Sequence, residues 1–116
     1  IELFHGWKLP GVTWAQDAWG SEWANLREGI AEAAAERGQK LIEQYSVATS
    51  AQLTFESREL MPTVAIHDRV VEGDFDLVVM GSHGRKGWKR WTLGSVAEQT
   101  VRHASCSVVV VHAPQG

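Results

Sequence analysis

Cysteine occurs once, methionine twice and proline three times in this chain of 116 residues. A lone cysteine, Cys106, closes no internal disulfide, so a disulfide-stapled scaffold is excluded and a reducing compartment suits the composition. No apolar run comes near the roughly 18 residues that read as a membrane-spanning helix. The longest, Leu77–Met80 and Val108–Val111, are strand-sized, so no membrane insertion is expected. Lopsided charge is also missing: the formal net charge is −3, with 22% charged and 44% hydrophobic residues. That balance excludes a disordered chain and supplies one core, so one domain over residues 1–116 is expected. The chain opens on Ile1 with no charged segment ahead of an apolar one, and no signal peptide is expected in it.

What charge there is has an uneven distribution. Residues 1–80 hold 6 basic and 13 acidic side chains, whereas residues 81–116 hold 5 basic and 1 acidic. Arg85, Lys86, Lys89 and Arg90 lie within six residues. An acidic body with one small basic patch argues against binding to a nucleic-acid backbone and suits one small anion.

The apolar pattern alternates between strand and helix periods. Glu2–Trp7 reads as a strand with apolar groups on both faces. From Ser21 to Ser46 the spacing is helical: Trp19, Trp23, Leu26, Ile30, Ala34 and Leu41 form one stripe, and Gly38 is a candidate break. Gln52–Glu59 reads as a strand with one polar face, hence an edge. Pro62 opens a helix over Thr63–Glu72, and Gly73 is expected to end it. Asp76–Gly81 reads as a buried strand, Gly94–Ala104 as a helix and Ser107–His112 as the last strand. Strands alternating with helices imply parallel βα units: an α/β fold, an open parallel sheet with helices on both faces.

The segment from Gly81 to Ser95 carries the chemistry. It starts at the C-terminal end of a strand and finishes at a helix N-terminus, the edge where open α/β sheets bind ligands. Glycines let backbone N–H groups approach an anion, and the first helical turn adds free N–H groups and a positive dipole end. The spacing Gly-x2-Gly-x9-Gly-Ser is set by Gly81, Gly84, Gly94 and Ser95. It is not the Walker A spacing, because the lysine that motif requires is missing, and it is not the dinucleotide fingerprint.

This pattern, with Asp76-Leu-Val-Val-Met-Gly-Ser-His-Gly-Arg85 before it and Leu93-Gly-Ser-Val-Ala-Glu98, Val101-Arg-His-Ala104 and Val108–Val111 after it, resembles the nucleotide-binding signature of the universal stress protein family. The resemblance implies that family's fold, shared with the adenine nucleotide α-hydrolases, with strand order 3-2-1-4-5. It implies ATP as ligand, with Mg2+ as an ion able to accompany it. The implied binding residues are Gly81, Ser82, His83, Gly84, Arg85, Gly94, Ser95 and Val96. It further implies a cytoplasmic homodimer joined through Val108–Val111, with a nucleotide-dependent regulatory role in stress response and an open place for a regulatory protein partner. Leu3-Phe-His5 aligns with the family's second strand, so the family's first strand, first helix and adenine-binding aspartate are expected ahead of Ile1.

Blander readings stand beside these. Ser95 and Glu98 form Ser-x-x-Glu, a capping box, so Ser95 is expected to cap the helix. Arg85, Lys86, Lys89 and Arg90 could be a solvated loop face. His83 is read as a loop histidine, because Asp76 lies at the far end of its strand and no triad can form. His5, His67, His103 and His112 are scattered without metal-ligand spacing, so no metal site is expected. Cys106 is expected to be buried and inert. No residue has the credentials of a catalytic base, and weak ATP hydrolysis or autophosphorylation follows from family analogy alone. One rival function is a non-nucleotide-binding dimeric interaction or regulatory module of the same fold, against which the intact glycine pattern speaks. The other is an enzyme of the α-hydrolase group, which would need a catalytic lysine, histidine pair or metal carboxylate near the loop.

Overall fold

A computed structural model describes residues 1–9, 20–82 and 93–112. Four strands and three helices alternate: β1 (Glu2–Trp7), α1 (Gly20–Ser46), β2 (Thr54–Glu59), α2 (Pro62–Glu72), β3 (Leu77–Gly81), α3 (Ser95–His103) and β4 (Ser107–Val111). The strands form two parallel pairs, β1 with β2 and β3 with β4. The chain divides into two compact units, Ile1–Met61 and Pro62–Gly116.

In the first unit, β1 and β2 align with Leu3 beside Phe55, His5 beside Ser57 and Trp7 beside Glu59. α1 packs on β2, on the face that carries Phe55. The stripe Trp23, Ile30, Ala34, Leu41 and Ile42 is half-buried there, and Gly38 is the buried residue of the helix. A Cβ at Gly38 would overlap the Phe55 ring, so the ring rests on bare helix backbone. That contact is why α1 runs through Gly38 without the break its low helix propensity suggests. Leu26, assigned to the stripe by spacing, is 49% exposed instead. The Arg27 guanidinium ties helix to sheet through Nε (2.9 Å) and Nη2 (2.7 Å) to Glu59 Oε2. Trp7 Nε1 donates to Ser57 Oγ at 3.1 Å, giving the indole N–H a partner inside the pair. The opposite face of β2 is polar, as expected, and that of β1 carries Phe4: Arg58 pairs with Glu56 and lies 5.9 Å over the Phe4 ring.

In the second unit, α2 starts at Pro62 and ends in a Schellman motif. The Phe75 N–H donates to the Val70 carbonyl (3.1 Å) and the Asp74 N–H to the Val71 carbonyl (3.3 Å). The helix ends at Glu72, directly before Gly73 as expected, and the left-handed residue of the motif is Asp74, at φ 50°. Gly73 serves a different need: a Cβ there would meet the Phe75 ring, over which Arg69 stacks at 5.1 Å. β3 and β4 pair with Leu77 beside Ser107 through to Gly81 beside Val111. Their even positions, Val78, Met80, Val108 and Val110, are half-buried, and α3 packs against β4. The odd positions are bare, with Leu77 47%, Val79 62%, Val109 47% and Val111 51% exposed. β3 was expected to be buried on both faces; within this structure it is covered on one. Cys106 is half-buried, not buried as expected, because it stands in the bend between α3 and β4.

Candidate functional site

The site is built where β3 ends and α3 begins. Parallel pairing brings the C-terminal ends of β3 and β4 side by side, and the ladder extends one step past Gly81: the Ser82 N–H donates to the Val111 carbonyl at 2.9 Å. The Ser82 carbonyl then accepts from the Gly94 N–H at 2.7 Å. This second bond closes the base of the intervening segment. It sets the start of α3 against the end of β3, with Ser82 buried at 4% exposure between them.

Gly94 is the N-cap of α3, with extended backbone (φ −63°, ψ 157°), and its carbonyl accepts the first helical bond from the Glu98 N–H at 2.9 Å. Ser95 is therefore the first helical residue and not the cap. The capping box fails because Ser95 already has helical backbone, which carries its hydroxyl away from the amides it would need to reach. Among the described residues no side chain caps α3. The N–H groups of Ser95, Val96 and Ala97 belong to the first turn, where an α-helix offers no internal acceptor, and the positive end of the helix dipole lies with them. An anion with several acceptor oxygens is the natural partner for such a turn. Glu98, an acid in that turn, is neutralised by Arg102, Oε1 to Nη2 3.0 Å.

Five of the eight residues expected from the sequence are thus placed. Gly81, Ser82, Gly94, Ser95 and Val96 converge on one junction. His83, Gly84 and Arg85 lie outside the described residues, as do Lys86, Lys89 and Arg90. The structure also brings together residues the sequence left scattered. His67 of α2 and His103 of α3 line one open groove of about 340 Å3, beside Val70, Gln99 and Thr100. Thr100 is 6% exposed, and its Oγ1 has no hydrogen-bond partner among the described residues. The signal was present in helical spacing, because positions 63, 66, 67 and 70 and positions 99, 100 and 103 make two stripes that face each other. Among the described residues no three histidine, cysteine or carboxylate side chains gather as a metal site would require. No described helix is long and apolar enough to cross a membrane.

Parallel strand pairs joined through helices, with a glycine-bordered junction of strand end and uncapped helix start, define an α/β protein. The model of the universal stress protein family matches residues 1–112, and the chain belongs to that family. It is 34% identical over 91 residues to the universal stress protein MJ0531 of Methanocaldococcus jannaschii, a match spanning 76% of this chain and 54% of that protein. It is 28% identical over 112 residues to the universal stress protein Rv2005c of Mycobacterium tuberculosis, spanning 97% of this chain and 38% of that one. The chain therefore spans about half the length, or less, of the curated relatives it matches. Among solved structures it resembles the universal stress protein UspA from Lactobacillus plantarum, with a TM-score of 0.67 and 27% identity over 95% of this chain and 74% of that one. It also shares the fold of hypothetical protein MJ0577, with a TM-score of 0.76 and 19% identity over 99% of this chain and 76% of that one.

Proposed function

We propose that this chain binds ATP at the β3–α3 junction and serves as a nucleotide-dependent regulatory module in stress response, as a cytoplasmic homodimer joined through Val108–Val111. One observation carries the reading: the Gly94 N–H to Ser82 carbonyl bond closes the junction while the first turn of α3 is left without a side-chain cap. A helix start closed on itself by a serine or aspartate would have little to offer a phosphate. Here the N–H groups of Ser95 and Val96 and the Ser95 hydroxyl are the donors that would hold the phosphate oxygens. Gly81 and Gly94 carry no side chain to obstruct them. ATP, with Mg2+ as its counter-ion, would add a chain of negative charge to the end of the helix dipole. What this chain's residues supply is binding and orientation, and no side chain described at the junction is placed to act as a general base.

Calorimetric titration with ATP tests this. The wild-type chain is expected to bind, and Gly94→Val to lose binding while retaining its circular dichroism spectrum. Ser95→Ala should weaken binding by about 1 kcal/mol through the lost hydroxyl. Because Ser95 is not the cap, it should leave the melting temperature of the free protein unchanged. Equal ATP affinity in wild type and Gly94→Val would refute the junction as the phosphate site. No heat from the wild type at millimolar ATP would favour the non-nucleotide interaction module instead.

A further inference from the structure

We infer that the groove between α2 and α3 is a second ligand site, for a small uncharged aromatic alcohol. The groove lies within the unit Pro62–Gly116, and the inference does not rest on the ATP reading above. On α3 it is lined from Gln99 onward, the half of the helix away from Gly94. His103 stands nine residues beyond Gly94, about 13 Å along a helix axis. An occupant of the groove therefore leaves the first turn of α3 open.

The protein leaves one polar atom of this groove without a partner. Thr100 lines it at 6% exposure, and its Oγ1 makes no hydrogen bond among the described residues. A threonine inside a helix can turn its hydroxyl to the carbonyl four residues back; Thr100 does not. A buried hydroxyl left alone is costly to keep, and the groove is the side from which a partner can come. Threonine has two accessible χ1 rotamers in a helix, so Oγ1 and the methyl group can exchange places when a partner arrives.

The rest of the lining sets the chemistry of that partner. Val64, Ile66 and Val70 of α2 supply apolar wall, and His67, His103 and Gln99 supply polar groups beside it. Few polar groups in a mostly apolar wall is the usual make-up of a small-molecule site. Imidazole offers a ring face for stacking and nitrogens for hydrogen bonding, which suits an aromatic ring carrying a hydroxyl. No lysine, arginine, aspartate or glutamate is among the lining residues, so nothing there compensates a full charge on the ligand. A cavity of about 150 Å3 holds one benzene-sized ring. The groove, at about 340 Å3, has room for two fused rings.

The experiment is a nitrogen-15 NMR titration of the chain with 2-naphthol, and with 2-naphthoate as its charged counterpart, on wild type, Thr100→Val and Val64→Glu. No nucleotide is present, so its outcome is separate from that of the ATP reading. In wild type, 2-naphthol is expected to move the amide signals of His67, Gln99 and His103 saturably, with a dissociation constant on the order of a millimolar. 2-Naphthoate should bind at least about tenfold more weakly. Thr100→Val should weaken 2-naphthol by about threefold to tenfold, while the free variant melts higher than wild type. Val64→Glu, at a wall position already 43% exposed, should keep the fold and lose binding. Absence of saturable movement in wild type would overturn the site. Equal affinity in wild type and Thr100→Val would reduce Thr100 to packing and overturn the hydroxyl pairing on which the inference stands. 2-Naphthoate binding as tightly as 2-naphthol would overturn the uncharged class. Groove signals that move when the free chain is diluted would assign the groove to a second copy of the chain, and overturn the ligand reading.

Discussion

Thr100 and Asp74 each hold a cost that a single substitution can remove. The Thr100 hydroxyl is buried without a partner among the described residues, and a buried polar group left unsatisfied costs about 1–3 kcal/mol. Thr100→Val keeps the shape, so it is expected to raise the melting temperature; a lower one would mean that the hydroxyl has a partner in solution. Asp74 adopts φ 50°, a backbone that a residue with a Cβ occupies under strain. Asp74→Gly is expected to stabilise the chain by about 0.5–1 kcal/mol in urea unfolding, with the Schellman bonds kept. Sequence reasoning expected Gly73 to end α2, and the helix does end at Glu72 beside it. The glycine was legible, but its reason was not: its neighbour is the Phe75 ring, and contact with a residue two positions on has no mark in composition.

At the scale of elements, propensity and packing disagree most clearly at Gly38 in α1. Propensity says Gly38→Ala should stabilise a helix by about 1 kcal/mol. Packing says the new methyl would strike the Phe55 ring and cost roughly 1–3 kcal/mol. The expected outcome is a lower midpoint in urea for Gly38→Ala, with Phe55→Leu in the same background restoring part of the loss. Elsewhere on α1, Glu36 and Lys40 pair at 2.8 Å on the exposed face. The hydrogen bond and charge of Lys40 hold the Glu36 carboxyl below its ordinary range, and Glu36 raises Lys40 in turn. The sign follows. The Glu36 contribution is present at neutral pH and is lost as pH falls through its lowered value, and the Lys40 contribution is lost only as pH rises past its own. Glu36→Gln should therefore show a small deficit in melting temperature at pH 7 that vanishes in strong acid and in high salt. Element order and type were legible throughout, because strands of five or six residues and helices with clear stripes give distinct periods. The first helical residue of α3 was misread because Ser-x-x-Glu follows Gly94 directly, and a glycine N-cap has no side-chain signature.

For the whole molecule, family and fold were legible from the stretch Asp76 to His112, where glycine spacing and the apolar strands coincide. The junction of Gly81, Ser82, Gly94, Ser95 and Val96 was legible for the same reason. The meeting of His67 with His103 was not, because they come from helices separated by a strand and only the fold sets them in one groove. The proposed dimer through β4 is best tested at Val109, 47% exposed and turned away from α3, since Val110 is half-buried on the α3 side. Val109→Lys is expected to shift sedimentation from dimer toward monomer with secondary structure retained. A persistent dimer would assign the interface elsewhere. The central claim is that phosphates bind the start of α3, and amide resonances report it residue by residue. In a titration of the 15N-labelled chain with ATP, the N–H signals of Gly94, Ser95, Val96 and Ala97 are expected to move together and saturate, and those of Ser95, Val96 and Ala97 in Gly94→Val to stay still. Saturable ATP binding that leaves those four amides unmoved in the wild type would contradict the account.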